Sequence, residues 1–168
     1  VNNAGINGFE DREDLLTDRI KVNNLQSKEF TETGKIKSHF DVTVNMSDEE
    51  WHKMISIHLN GTFFCTREAL KIMNNQQQAS IINMGSVLGT TGGPSSPHYS
   101  AAKSAILGLT RATARELASR NIRVNAISAG PIKTLAASAI GDAKFLYKWN
   151  ADHSLLKRNV DINDVGNA

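Results

Sequence analysis

Tyr99 and Lys103 lie four residues apart in the stretch HYSAAKSAILGL, which spans residues 98–109. Because residues i and i+4 share one face of an α-helix, a helix here holds the phenol and the ammonium one turn apart. A positive charge nearby favours the phenolate, so it lowers the pKa of a tyrosine from its ordinary value of about 10. Such a tyrosine can donate a proton to the oxygen of a carbonyl that is being reduced. The same spacing also occurs where the two side chains merely pack, so other residues must decide.

Ser86 precedes Tyr99 by thirteen residues, in the segment NMGSV. A serine hydroxyl at the end of a strand can donate a hydrogen bond to a substrate oxygen and so polarise the carbonyl. The alternative is that Ser86 only caps the loop that follows the strand. The Gly/Ser/Thr-rich sequence after residue 84 is compatible with both interpretations.

The elements around these residues predict parallel βαβ units. Apolar runs predict strands at 81–84 and 123–127, and helical spacing of apolar residues predicts helices over 47–74 and 97–119. Alternation of strands and helices is typical of an α/β fold with a parallel sheet. Within the first helix, Ser47 and Glu50 predict a capping box. The helical spacing of Trp51, Met54, Ile55, His58, Leu59, Thr62 and Phe63 predicts its core-facing side. Gly61 predicts a close approach of another element or of the active site.

Three loops follow strand ends, at residues 2–5, 85–86 and 130–134. Ligands of parallel sheets bind beyond the carboxyl ends of the strands. We therefore expect these loops and the start of the Tyr99 helix to meet at one edge of the sheet.

The order and spacing of NNAG, NMGSV, YSAAK and VNAISAGPIKT resemble the short-chain dehydrogenase/reductase family. The resemblance implies a Rossmann-like doubly wound parallel sheet, an NAD or NADP cofactor, and catalytic roles for Ser86, Tyr99 and Lys103. It also implies that Tyr99 and Lys103 contact the cofactor, Lys103 through the nicotinamide ribose. The remaining cofactor contacts that the resemblance implies are Asn2, Ala4, Gly5, Pro131, Ile132 and Thr134.

His58 occupies the position where relatives carry an asparagine that supports a proton relay to the lysine. Histidine can relay protons because its pKa lies near neutrality. The alternative, equally compatible with the sequence, is a histidine buried in the core. We therefore include His58 among the candidate catalytic residues.

Two features depart from the family pattern. The glycine-rich fingerprint of the first strand is absent, so we expect residues 1–168 to form the C-terminal part of one dinucleotide-binding domain, without its N-terminal strands and its last strand. A polar insertion at about 9–45 is expected to be a long surface excursion, either a lid over the substrate or a solvated segment. The tail also resembles enoyl-acyl-carrier-protein reductases, which place six residues between tyrosine and lysine, but Ile106 stands at that position here.

Composition excludes several classes of protein. The net charge of +2 is too small to indicate binding to nucleic acid or to an anionic membrane. No apolar run is long enough to cross a bilayer. The histidines lack metal-ligand spacing, so no metal is expected. Cys65 is the single cysteine, which favours a reducing, cytoplasmic setting, and its apolar neighbours predict burial.

These observations predict an NAD(P)-dependent oxidoreductase that reduces the carbonyl of a 3-oxoacyl thioester, a reaction of fatty acid biosynthesis, with Tyr99 as the acid. The alternatives are an enoyl thioester reductase, another alcohol dehydrogenase, or an inactive truncated remnant. The two long helices predict a homo-oligomer, in the family commonly a tetramer.

Overall fold

The computed structural model describes residues 1, 5–6, 8, 13–93, 96–133 and 143–168. The predicted site residues Asn2, Ala4 and Thr134 lie outside this part of the chain. The described helices are α1 (Glu13–Thr33), α2 (Val42–Asn45), α3 (Asp48–Ile55), α4 (Gly61–Met73), α5 (Leu88–Thr91), α6 (Pro97–Leu117), α7 (Ala143–His153) and α8 (Ile162–Gly166). The described strands are β1 (Ala79–Met84) and β2 (Ile122–Ile127).

Strands β1 and β2 pair in parallel, with Ala79 opposite Ile122 and Met84 opposite Ile127. The N–H of Gly85 then donates to the carbonyl of Ile127 at 2.8 Å, which carries the pairing one residue further. Both strands therefore end at one edge, as the alternation of strands and helices predicts. The parallel α/β architecture is confirmed.

Side chains of β1 and β2 pack against α4 and α6 to form the core of the sheet. Ile81, Leu117, Ile122 and Val124 are buried together, and Leu70, Met73, Ala79 and Ala114 pack around them. The β-branched residues suit a pleated surface that is covered on one side. A second buried group, formed by Met54, Ala102 and Ile106, lies where α3 meets α6. These two groups fix the position of α6 relative to the strand ends.

The predicted helix over 47–74 is present, but it contains a π-helical turn at Ser56–Asn60 between α3 and α4. The predicted capping box is confirmed: the N–H of Ser47 donates to Glu50 Oε2 at 2.8 Å, and the N–H of Glu50 donates to Ser47 Oγ at 3.2 Å. Widening the helix by one residue per turn is a common feature near functional sites. Here the π turn contains His58.

The predicted core face of this helix is only partly correct. Met54, His58 and Thr62 are buried, whereas Trp51 and Phe63 are 40% and 44% exposed. The buried residues recur every four positions, so one narrow line of side chains on this helix is covered. No other element approaches Gly61 closely, since a Cβ there would meet only the carbonyl oxygen of Ser56, at 3.8 Å, so that part of the prediction is wrong.

Cys65 is exposed, contrary to the predicted burial. Thr62 and Thr66, one helical turn apart, take the buried face of α4. Cys65 follows Phe63 and Phe64 on the exposed side of α4.

The polar insertion is more ordered than expected, because α1 runs through its middle as a 21-residue helix. Gly34, with φ of +66°, ends the helix. The Glu29 carboxylate then accepts hydrogen bonds from the backbone N–H groups of Lys37 and Ser38, at 2.7 and 2.9 Å. These bonds lower the pKa of Glu29 and fold the segment after the helix back along it.

Candidate active site

Tyr99 and Lys103 lie on the first turns of α6, as the i, i+4 spacing predicts. The Lys103 side chain is buried, and its Nζ lies 5.6 Å from the centroid of the Tyr99 ring. Nζ donates a hydrogen bond of 2.9 Å to the carbonyl of Met84, the last residue of β1. This bond ties the helix to the end of the strand and holds the ammonium beside the ring.

Ser86 stands immediately beyond the end of β1 and is hydrogen-bonded to the Tyr99 side chain. Its Oγ also accepts a hydrogen bond of 3.2 Å from the N–H of Leu88 at the start of α5. The capping role and the contact with the phenol therefore coexist in one hydroxyl group.

Burial raises the pKa of Tyr99, and the hydrogen bond from Ser86 offsets this only in part. The sequence predicts the opposite direction, on the assumption that the ammonium lies at the phenol oxygen. In the structure the ammonium lies over the ring and donates to Met84, and burial lowers the pKa of Lys103 as well. The phenol is therefore protonated at neutral pH.

His58 is buried and meets Tyr99 edge to face, with ring centroids 5.3 Å apart and planes at 89°. Its Nε2 lies 3.1 Å from the backbone nitrogen of Ile6 and 2.8 Å from the carbonyl oxygen of the same residue. The tautomer decides which of these two bonds forms, because a neutral ring nitrogen either accepts or donates. His58 thus combines contact with Tyr99 and attachment to the chain segment before α1.

Gly5 is packed against His58, so closely that a Cβ on it would lie 2.6 Å from His58 Cε1. That distance is too short for any side chain, so glycine is required where this segment crosses the imidazole. The sequence motif NNAG marks Gly5 only as a turn residue, and the contact with His58, fifty-three residues along the chain, could not be foreseen from it.

Pro131 and Ile132 follow β2 and are half-buried. The Tyr147 hydroxyl, on α7, donates a hydrogen bond of 3.0 Å to the Ile132 carbonyl. Tyr147 was not among the predicted residues, because nothing in its local sequence distinguishes it from an ordinary helical tyrosine.

Gly89 and Asn83 also support the site and were missed by the sequence analysis. A Cβ at Gly89 would lie 2.8 Å from the backbone carbon of Lys103, so α5 packs backbone to backbone on α6. Asn83, 1% exposed in β1, donates from Nδ2 to Thr110 Oγ1 at 2.9 Å. A polar residue inside an otherwise apolar strand was the available signal for Asn83.

The described residues thus bring Ser86, Tyr99, Lys103 and His58 together beside the end of β1. Within the same part of the chain, no three of the His, Cys, Asp and Glu side chains are grouped so as to hold a metal ion. The described helices also include none that is both long and apolar enough to cross a membrane.

Residues 32–168 match a family model described as "Enoyl-(Acyl carrier protein) reductase". The chain belongs to this family of short-chain dehydrogenases and reductases. A curated relative, 3-oxoacyl-[acyl-carrier-protein] reductase FabG of Thermotoga maritima, is 36% identical, with 71% of this chain and 52% of the relative covered. The chain therefore spans about half the length of that relative.

Two solved structures that resemble this chain extend the comparison. FabI from Candidatus Liberibacter asiaticus is 29% identical with a TM-score of 0.66, covering 74% of this chain and 47% of that one. ElxO with NADP bound is 28% identical with a TM-score of 0.65, covering 90% of this chain and 65% of that one. The partial Rossmann-like fold predicted from the sequence is confirmed.

Proposed function

We propose that the protein is an NAD(P)-dependent oxidoreductase that reduces the carbonyl of a 3-oxoacyl thioester to a secondary alcohol. One observation carries the proposal: the Tyr99 phenol is hydrogen-bonded to Ser86, with the Lys103 ammonium over its ring, at the edge where the two strands end. The similarity to 3-oxoacyl-[acyl-carrier-protein] reductases supports the choice of substrate.

The residues at this edge suit the nicotinamide half of a dinucleotide. Lys103 donates one hydrogen bond, to Met84, among the described residues, so its ammonium keeps N–H groups for ribose hydroxyls. The Pro131–Ile132 turn follows the neighbouring strand, where its backbone would meet the carboxamide. When bound, the cofactor supplies a hydride to the carbonyl carbon. The structure of ElxO with NADP supports this class of cofactor.

Tyr99 and Ser86 act on the oxygen of the substrate. Ser86 would donate a hydrogen bond to the carbonyl oxygen and favour the negative charge that develops on it. Tyr99 would donate its phenolic proton to that oxygen as the carbon–oxygen π bond breaks, which completes the hydroxyl group. The buried Lys103 ammonium then stabilises the phenolate that remains, because opposite charges interact strongly in a desolvated site.

His58 is the candidate for returning a proton towards the site. Its ring contacts Tyr99 and its Nε2 faces the backbone of Ile6. We propose that His58 positions Tyr99 and takes part in this proton relay. Replacement of His58 with asparagine, which still donates and accepts, would preserve more turnover than replacement with leucine.

Enoyl thioester reduction is the second candidate, and the description of the matching family model favours it. The experiment that separates the two supplies the full-length protein with NADPH or NADH and either a 3-oxobutanoyl or a but-2-enoyl thioester. Mass spectrometry of the products distinguishes a 3-hydroxyacyl from a saturated acyl thioester. We expect the former. Reduction of the enoyl thioester alone would transfer the proposal to the second candidate, and no reduction of either would support an inactive remnant.

We further propose that the protein forms a homo-oligomer, in the cytoplasm, through the surface of α3, α4 and α6. Phe63, Phe64 and Ile72 on α4 are between 44% and 68% exposed, which is unusual for large apolar side chains. A free exposed thiol at Cys65 suits a reducing compartment. Sedimentation of the full-length protein should give a dimer or tetramer that Phe64→Glu dissociates, and a monomeric wild type would contradict the proposal.

A further inference from the structure

A cavity of about 420 Å³ lies between α1 and the segment that leads from residue 39 into α3. Its size is within the range of pockets that hold small molecules, roughly 300–1,000 Å³. The cavity is formed mainly by the polar insertion, and residues of the candidate active site that touch substrate do not line it. The side chains that matter for its chemistry are Val22, Leu25, Phe40, Val42, Met46 and His98.

The walls of the cavity are apolar on both sides. Val22 and Leu25 are three residues apart and therefore share one face of α1. That face lines the cavity, and Leu25 is still 50% exposed there. Phe40, Val42 and Met46 line the opposite side. The apolar side chains of this polar helix face the cavity and not the core. Such a surface is suited to an apolar ligand.

His98 lines the cavity and places it beside the helix turn that carries Tyr99. It is 6% exposed and precedes Tyr99 on the first turn of α6. Gly8, with φ of +85°, crosses the imidazole so closely that a Cβ would lie 2.9 Å from His98 Nε2. Burial lowers the pKa of His98, although the charge of Glu50 opposes this.

Charged residues of both signs lie among the remaining lining residues, including Arg19, Lys21, Asp18, Asp41 and Glu50. Because positive and negative groups are nearly balanced, the cavity has no strong preference for an anion or a cation. An uncharged aliphatic chain matches this combination of apolar walls and mixed charges better than a phosphate or a carboxylate does.

We propose that this cavity binds the aliphatic chain of the acyl substrate and so selects for chain length. The proposal rests on the proposed function for its substrate class, and it assigns to the insertion a role in specificity. In this arrangement the reacting carbonyl lies at Tyr99, and the chain passes His98 into the space beneath α1.

The test compares two 3-oxoacyl thioesters, acetoacetyl and 3-oxodecanoyl, with the full-length protein. Leu25→Trp fills the cavity, and Asn24→Trp adds the same bulk to α1 at an exposed position outside the lining, as the matched control. We expect Leu25→Trp to lower the ratio of kcat/KM for the long chain to that for the short chain about tenfold or more. Asn24→Trp should leave that ratio unchanged.

A second variant, Leu25→Asp, gives an independent test that does not require Leu25→Trp to fold, because a half-exposed position tolerates a charge. It should lower the same ratio, because a carboxylate in the apolar wall disfavours binding of a hydrocarbon chain. The proposal is overturned if the wild type reduces both thioesters with equal kcat/KM, or if both Leu25 variants keep the wild-type ratio.

A binding measurement separates this proposal from the proposed function. Calorimetry on the Tyr99→Phe protein with a decanoyl thioester should give binding that Leu25→Trp weakens about tenfold and Asn24→Trp does not. A loss confined to free decanoic acid would assign the cavity to a fatty acid and overturn its role in the substrate. If neither oxo-thioester is reduced but the thioester binding follows this pattern, the proposed function fails and the cavity proposal stands.

Discussion

Replacement of Gly89 with alanine tests how α5 and α6 hold the catalytic residues together. The new Cβ would lie 2.8 Å from the backbone carbon of Lys103, 2.9 Å from the nitrogen of Ser104 and 3.0 Å from the carbonyl oxygen of Lys103. Ordinary contacts begin at 3.4 Å, so α5 must move away from α6 by about 0.6 Å. All three atoms belong to the backbone, so no side-chain rotation can relieve the overlap.

The movement reaches Ser86, because the N–H of Gly89 donates to the Ser86 carbonyl at 3.0 Å within the same turn. Overpacking of this kind lowers the unfolding free energy by about 1–3 kcal/mol. The better helix propensity of alanine offsets about 1 kcal/mol of this loss. A net loss of about 1 kcal/mol is therefore expected. Misplacement of a reacting group by about 1 Å can cost about a hundredfold in rate, so we expect roughly tenfold for this displacement.

Gly108→Ala is the matched control, since Gly108 lies in the interior of α6 and nothing stands within 4 Å of its Cβ position. It should raise the unfolding free energy by about 0.5–1 kcal/mol and leave turnover unchanged. Urea denaturation of both variants measures stability, and steady-state kinetics with the oxo-thioester measures turnover. If Gly89→Ala behaved like Gly108→Ala in both assays, the close packing of α5 on α6 would not position Ser86.

Three further substitutions test individual contacts. Ser86→Ala should lower turnover about a hundredfold. It should also move the alkaline limb of the pH–rate profile to higher pH, because the hydrogen bond that opposes the raised pKa of Tyr99 is lost. An alkaline limb at the wild-type pH would contradict this. Burial holds the pKa of His98 below its unfolded value of about 6.5, so the wild type loses stability as the pH falls below that value. His98→Gln should reduce this dependence of the unfolding free energy on pH. Urea titrations at neutral and at acidic pH measure the difference. A wild type with equal stability at both pH values would refute it. Asn83→Ala should cost about 1–3 kcal/mol in thermal or urea unfolding because Thr110 loses a buried partner, and a loss below that of an exposed-site control would show that the pair is dispensable.

The elements that position the chemistry could be predicted from local patterns. The strand 81–84 and the helix 97–119 have clear apolar spacing, and the observed β1 and α6 differ from them by only two residues at any end. The capping box of Ser47 and Glu50 was predictable for the same reason, since its two hydrogen bonds form within one turn. Parallel pairing then brings the ends of both strands to one edge.

Features that depend on distant contacts could not be predicted. The tight crossing of Gly5 over the ring of His58 joins residues fifty-three positions apart. The helical spacing over residues 47–74 also gives no sign of the π turn that carries His58. Burial raises the pKa of Tyr99, and neither this burial nor the hydrogen bond that holds the Lys103 ammonium at the Met84 carbonyl can be deduced from the spacing of Tyr99 and Lys103.

The polar insertion shows a different limit of sequence patterns. Its apolar residues are too few to give a clear helical period, yet α1 forms there and is closed by the hydrogen bonds of Glu29 to the chain after Gly34. Few of its side chains pack into the core. The apolar pair Val22 and Leu25 lines a cavity, and the role of this pair can be recognised only in the folded structure, where the opposite wall is present.

Tyr99→Phe in the full-length protein tests the central claim most directly, because it removes one hydroxyl and leaves the ring against His58 and Lys103. Turnover of the oxo-thioester and affinity for the cofactor are measured on the same preparation, with Lys103→Ala in parallel. We expect Tyr99→Phe to abolish turnover while cofactor affinity stays near that of the wild type, and Lys103→Ala to damage both. Retained turnover in Tyr99→Phe would contradict the assignment of Tyr99 as the proton donor.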